Sequence, residues 1–175
     1  MIPSIQEIGD GFSRRFPGDP APQDALPGTD GGAAPEARAV ARPGNWVRAT
    51  DFQARGCHLE ASVLPGQVVP AAVFFDQLGF ALDTITGVDW IAENEMEVVY
   101  DYFHPAATLR VAVRTRVPRG CPEVPTISEV YPGANWHERE THEFFGIRFL
   151  GHPNLTPLLL PEDAEYHPLR KDFAA

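Results

Sequence analysis

Two runs of alternating apolar residues, Glu95 to Phe103 and Leu109 to Val117, constrain this chain more than any other feature. Met96, Val98, Tyr100 and Tyr102 face one way on the first run, and Leu109, Val111, Val113 and Val117 share a face of the second. Two neighbouring strands join such faces to a single core only if the numbers of facing residues sum to an odd value. A sum of 211 would set Arg110 opposite Asp101, Arg114 opposite Glu97 and Arg116 opposite Glu95. Each such pair stabilises by a few tenths of a kcal/mol. Pro105 in so short a turn speaks against that register. The arginines read as a solvated sheet face rather than as a binding patch.

Around this hairpin the chain alternates strand and helix signals. His58 to Leu64 has strand alternation and stops at Pro65-Gly66. A helix is expected from Pro70, which suits a first helical position, to Gly79, with Val73, Phe74, Gln77 and Leu78 on one face. Phe80 to Val88 reads as a further strand. Thr126-Ile127-Ser128-Glu129 has capping-box spacing for a short helix ended by Pro132-Gly133. Asn135 to Glu138 repeats the cap-and-acid spacing and opens a helix from Trp136 to about Phe145, closed by Gly146. The fold class is therefore α+β: a mixed or antiparallel sheet packed with helices, with an extended irregular C-terminal segment.

The stretch from about Gly9 to Gly44 is dominated by Pro, Gly, Ala and Asp, with too few large apolar residues to offset the entropy of ordering. Residues 1–45 are read as a flexible arm, either ordering on a partner or a plain solvated leader. Residues 46–175 form one domain that includes the C-terminal docking tail, since 175 residues suit one core. The leader should be dispensable for folding.

Charge and cysteine usage exclude several functions. With 24 acidic against 14 basic residues and a net charge of -10, nucleic acid is not an expected partner, and a neutral or basic protein fits better. Cys57 and Cys121 match no zinc spacing and are too few for an iron-sulfur cluster. They read as reduced thiols, with a bridge or a shared metal site as the alternative. No run approaches the ~20 apolar residues of a membrane span, and the start lacks the features of a signal peptide. Membrane association is expected only through partners.

The densest polar cluster is WHERETHEFFGIRF. A stand-alone metallohydrolase would need histidines four apart on one helix face. His137 and His142 are five apart, which is about 140° around a helix. Neither Ser62 nor Ser128 lies in a nucleophile elbow, and no loop is built to cradle phosphate. Arg139 and Glu143 lie one turn apart, while Trp136, Glu140 and Phe144 line another stripe. A stripe mixing Trp, Glu and Phe suits an interface, because a charge on an apolar face needs a partner. Pairing inside the domain is the equal alternative. Beyond the helix, Gly151-His152-Pro153 and Pro161 break regular structure, so Leu155, Leu158, Leu159, Leu160 and Leu169 are expected to be buried by an irregular segment. His152 and His167, each before a proline, suit local hydrogen bonding.

The run Ala134-Asn135-Trp136-His137-Glu138-Arg139-Glu140, followed by Phe145 to Leu155, closely resembles the signature of the thirty-kilodalton subunit family of respiratory complex I. Leu159 to Asp163 and His167 to Phe173 continue the resemblance, and weaker similarity, including Ile85 to Asp89 and Glu97 to Tyr100, extends it back to about Trp46. The resemblance implies a structural subunit of the hydrophilic arm of a proton-translocating NADH:quinone oxidoreductase, without cofactor or catalysis of its own. It further implies iron-sulfur clusters, FMN, NAD and quinone in partner subunits, packing against the large quinone-site subunit and neighbouring iron-sulfur subunits, and a peripheral place on the cytoplasmic face of the bacterial inner membrane. The polar signature then reads as a buried interface network, with Glu138, Arg139 and Glu140 as main candidates. Trp136, Glu143, Phe145, Gly146, His152, Pro153, Leu169, Arg170, Lys171 and Asp172 complete the expected interface.

Three departures stand out. Glu143 occupies a position that is usually Asp, Thr156-Pro157 replaces paired arginines, and the leader is atypical. They keep open a second reading, the homologous subunit of a membrane-bound nickel-iron hydrogenase or formate hydrogenlyase. Metal-ligating cysteines in the neighbouring large subunit would distinguish it.

Overall fold

The central hairpin is formed by β4 (Glu95–His104) and β5 (Leu109–Pro118). We describe it from a computed structural model, which covers residues 3–22 and 44–174. Met96 faces Val117, Tyr100 faces Val113 and Tyr102 faces Val111, so facing numbers sum to 213. The odd parity holds, but the register is shifted from the expected 211. The reason is the turn: Pro105 to Thr108 form a four-residue loop in which His104 Nδ1 accepts the Ala107 N–H at 3.1 Å and Thr108 takes a φ of 52°. The charges adjust by reaching diagonally. Glu97 lies directly opposite Arg116, which also meets Glu95 at 3.0 Å, while Arg114 reaches Glu97 at 3.5 Å and Arg110 turns to Asp83 at 2.8 Å.

Upstream lie α1 (Ile5–Arg15), β1 (Trp46–Ala49), α2 (Phe52–Arg55), β2 (Leu59–Ser62), α3 (Val68–Gln77) and β3 (Ala81–Trp90). Downstream are β6 (Glu123–Pro125), α4 (Ala134–Phe145) and β7 (Arg148–Leu150). The main sheet runs β1-β2-β5-β4-β3, with β2 and β5 parallel and the other neighbours antiparallel; β6 and β7 form a small parallel pair. The architecture is the expected α+β class. One sheet face carries Leu59, Ala61, Met96, Val98, Tyr100, Tyr102, Val111 and Val113 into the core with the helices. The other face holds a small cluster of Cys57, Val99 and Ala112 among the arginine and carboxylate pairs.

The N-terminal expectation is overturned where the chain is described. Ile5–Arg15 is a helix, opened by a Ser4/Glu7 capping box and closed near Arg14 and Arg15, which suit its negative end. Ile8, Phe12 and Phe16 recur every four residues and are buried, with Phe12 against Phe74 and Phe75. A low apolar average over the Pro/Gly-rich stretch concealed this single stripe. Residues 23–43 of the expected arm lie outside the described residues.

Three helix expectations need correction. α3 starts at Val68, so Pro70 sits third, where its missing N–H would have had no helical partner. Its buried face is Val68, Ala71, Ala72 and Phe75, and Val73 is exposed. The short helix expected at Thr126 does not form, because the Thr126 hydroxyl and the Ile127 N–H go to Glu138. α4 starts at Ala134 without a side-chain cap, since its N-cap residue is Gly133 and Asn135 lies inside the helix, and Gly146 closes it at φ 75° as expected.

Candidate functional site

α4 is set on the sheet by a missing side chain. A Cβ at Gly87 of β3 would stand 2.5 Å from the Phe145 ring, so glycine alone admits this approach. Thr141 adds a bond from its hydroxyl to the Ile85 carbonyl at 3.3 Å. This docking places Glu138 and Glu143 inside the protein and leaves the C-terminal end of α4 facing the tail that follows β7.

The tail has almost no regular structure, so its backbone groups need other partners. Glu143 supplies them. Its carboxylate accepts the N–H of Leu158 at 2.8 Å, of Leu159 at 3.0 Å and of Leu160 at 3.1 Å, three consecutive donors curled around one anion. One turn earlier, Arg139 donates to the carbonyls of Thr156 at 2.9 Å and Pro157 at 2.8 Å, with its guanidinium 5.7 Å from the Trp136 ring. The tail answers by capping α4. His167 Nδ1 meets the Glu143 carbonyl at 2.8 Å, Leu169 N–H the Phe144 carbonyl at 3.1 Å, and Arg170 Nε the Phe145 carbonyl at 2.7 Å. These are the carbonyls a helix end leaves unpaired, and the cationic Arg170 suits their negative end. Gly146 is required twice over, by its φ of 75° and because a Cβ would stand 2.3 Å from Arg170 and 2.6 Å from His167.

A second latch holds the last residues. Asp89, buried at the end of β3, receives both Nε (2.8 Å) and Nη2 (3.0 Å) of Arg119 and the N–H of Lys171 at 2.8 Å. Arg119 also reaches Asp172 at 2.5 Å. The Arg119 guanidinium holds the Asp89 carboxyl below the usual carboxylate range. Glu138 behaves oppositely. Burial pushes its carboxyl up to about 7, against the pull of its bonds to Thr126 and Ile127.

The expected interface residues therefore divide. Glu138, Arg139, Glu143, Phe145, Gly146, His152, Arg170, Lys171 and Asp172 make contacts inside this chain. Glu138, Arg139 and Glu143 pair within the chain, one of the two arrangements left open by the sequence. Trp136, Glu140, Pro153 and Leu169 face outward. The expectation that the tail leucines are buried also needs correction, because Leu159 is 64% and Leu169 53% exposed. The grip of Glu143 on the N–H groups of 158 to 160 holds that stretch in one conformation while the Leu159 side chain stays outside. Sequence reading missed the exposed Leu150, Tyr166 and Phe173, whose aromatic pair stacks at 5.7 Å. It also missed the Asp89–Arg119 latch, whose partners lie 30 positions apart and share no motif.

Among the described residues no group of three or more His, Cys, Asp or Glu is placed to hold a metal ion. His142 points Nδ1 at the Ile147 carbonyl, 2.8 Å away. Cys57 is buried, with its thiol pushed up by that burial, and Cys121 is exposed; both are free. No helix is long and apolar enough to cross a membrane among the described residues.

Comparison with known proteins adds a consistent set of relatives. A sequence model of the family described as "Respiratory-chain NADH dehydrogenase, 30 Kd subunit" matches residues 61–175. In Roseiflexus castenholzii the matching subunit of NADH-quinone oxidoreductase is 43% identical over 119 residues, 65% of this chain and 68% of that protein. In Methanosarcina mazei the matching subunit of F(420)H(2) dehydrogenase is 44% identical over 97 residues, covering 53% of this chain and 59% of that one. Among solved structures, a chain of the membrane-bound sulfane sulfur reductase, an archaeal respiratory membrane complex, superposes with a TM-score of 0.64 at 29% identity, covering 73% of this chain and 77% of that chain.

Proposed function

We propose, since this chain belongs to the family of the 30 Kd subunit of respiratory-chain NADH dehydrogenase, that it is a structural subunit bracing the large quinone-site subunit of a proton-translocating NADH:quinone oxidoreductase. Relatives of this chain are subunits of membrane respiratory complexes, and it is a subunit of that type. The bracing role rests on one observation. Arg139 and Glu143 are consumed in anchoring the tail, and α4, the end of β7 and the anchored tail present Trp136, Leu150, Leu159, Tyr166, Leu169 and Phe173 to solvent. Exposed apolar side chains on a segment fixed at both ends form a preorganised docking surface, because little entropy remains to be lost on binding. In this reading the chain carries no cofactor. FMN, the iron-sulfur clusters and quinone belong to partner subunits, and the chain reaches the cytoplasmic face of a bacterial inner membrane through them. Leu159→Glu places a charge at the most exposed of these positions while leaving the backbone grip of Glu143 in place. It should abolish co-purification of the large subunit and leave the thermal midpoint of the free chain unchanged; full co-purification would refute the reading.

A second reading concerns the electron donor. The F(420)H(2) dehydrogenase relative matches at 44% identity against 43% for the NADH-quinone oxidoreductase one, over 97 rather than 119 residues, which leaves room for a complex of the same build with a different input. A native complex that reduces quinone with NADH supports the first reading. Failure with NADH, together with metal-ligating cysteines in the large subunit, supports a hydrogenase-type complex.

A further inference from the structure

Glu138 takes no part in anchoring residues 156 to 173, and its surroundings are unusual for an acid. Its side chain is fully enclosed, as is the imidazole of His152. One carboxyl oxygen accepts the Ile127 N–H at 2.8 Å, and the other meets the Thr126 hydroxyl at 2.5 Å. His152 Nε2 lies 3.9 Å from that second oxygen, near enough for an ion pair if the ring were charged. Its own hydrogen bonds keep the ring neutral. Nδ1 accepts the Asn154 N–H at 3.1 Å, which requires a free lone pair, so the ring proton sits on Nε2 and points to the Asn135 carbonyl at 3.2 Å. A second proton on Nδ1 would face the Asn154 N–H, and burial also lowers the affinity of this ring for it.

Among the described residues no other group balances a charge here. β4 contributes the phenols of Tyr100 and Tyr102, both kept neutral by burial, and the Tyr100 hydroxyl makes no hydrogen bond among the described residues. On α4 itself, Arg139 is turned to Thr156 and Pro157. A carboxylate at this place would be buried without a cation, at a cost that a proton removes. A route for that proton is present. Thr126 Oγ1 is 2.9 Å from Ser128 Oγ, and both residues are half-buried. The hydroxyl chain can point either way. A neutral Glu138 donates to Thr126, which donates to Ser128; an ionised Glu138 accepts from Thr126, which accepts from Ser128.

We propose that Glu138, Thr126 and Ser128 form a proton-responsive clasp joining α4 to the loop that precedes it, closed while the carboxyl holds its proton and loosened when the proton leaves along the two hydroxyls. The clasp belongs to this chain alone and does not depend on which complex it joins. A carboxyl with a higher proton affinity when enclosed than when open stabilises the closed form at low pH and loses that contribution as pH rises through the enclosed value. Given the value near 7 and an ordinary glutamate near 4.3 when open, opening becomes about tenfold easier between about pH 6 and about pH 8.

The test uses the full chain and two readouts, amide exchange at Ile127 corrected for intrinsic chemistry, and the infrared stretch of a protonated carboxyl. Wild-type protein should show that stretch at about pH 6 and lose it by about pH 8, with exchange at the Ile127 amide rising about tenfold over the same range. Glu138→Gln should lack the stretch and show no rise. Thr126→Val, which removes the donor that favours the anion, should retain the stretch to higher pH. Should Glu138→Gln fail to fold, the wild-type titration decides alone. Absence of a near-neutral carboxyl stretch in the wild type, a rise in exchange that survives Glu138→Gln, or a titration unmoved by Thr126→Val would each overturn the proposal.

Discussion

Replacing Glu143 by Gln should release the tail without unfolding the domain. The carboxylate accepts N–H groups from Leu158, Leu159 and Leu160 between 2.8 and 3.1 Å. Bonds to a charged acceptor contribute about 1.5–3 kcal/mol each, roughly twice a neutral bond. The amide keeps the shape and one acceptor oxygen, but it loses the charge and turns an NH2 group toward N–H donors. Halving three such bonds, without full additivity, removes about 3 kcal/mol from tail docking. That corresponds to roughly a hundredfold increase in tail opening. Amide exchange resolves it, because Leu158, Leu159 and Leu160 should exchange about a hundredfold faster while amides of β4 and β5 keep wild-type rates. Unchanged exchange at these three amides would show that Glu143 does not hold the tail. Equal acceleration throughout the sheet would show that tail and core are one cooperative unit, contrary to the anchor described above.

Other perturbations separate the remaining parts of the structure. Phe12→Ala empties a fully buried site between α1 and α3 and should cost about 3–5 kcal/mol, lowering the thermal midpoint by roughly 10 °C; an unchanged midpoint would restore α1 to a dispensable leader. Gly146→Ala forces a left-handed backbone on a residue with a Cβ, at about 1–2 kcal/mol, and pushes into Arg170 and His167, so exchange at Leu169 should accelerate more than at Gly56→Ala, where the added Cβ meets nothing. Asp89 has a folded proton affinity below its unfolded one, so its contribution is present above the unfolded value and is lost as pH falls through the lower, folded one. Protection of the Lys171 amide should therefore fall below about pH 4 in the wild type and be low at all pH in Asp89→Asn; acid-resistant protection would count against the latch.

What the sequence disclosed, and what it withheld, follows from the range of each interaction. Period-two alternation in β4 and β5 is local, so strand identity, facing and odd parity were legible, whereas the choice between 211 and 213 turned on a loop that had to accommodate Pro105. Gly146 as a helix stop was legible because a left-handed closure has one strong residue preference. The α4 acids could be recognised as an unusual cluster, but not which partner they take, since Glu143 binds backbone N–H groups 15 to 17 positions away that have no side-chain signature. Arg139 illustrates the same limit, as its two shorter bonds go to the carbonyls of Thr156 and Pro157, which any residue supplies, and only the bond to the Thr156 hydroxyl at 3.3 Å depends on residue type. The α1 stripe of Ile8, Phe12 and Phe16 had helical spacing throughout and was obscured only by the composition around it.

The claim that the anchored tail is the docking surface is tested most directly by comparing amide exchange of this chain free and bound to its large subunit. The account predicts new protection confined to α4 near Trp136 and to residues 150 to 173, with the arginine-bearing sheet face around Arg114 and Arg116 unchanged. Protection of that sheet face, with the tail exchanging as in the free chain, would contradict it.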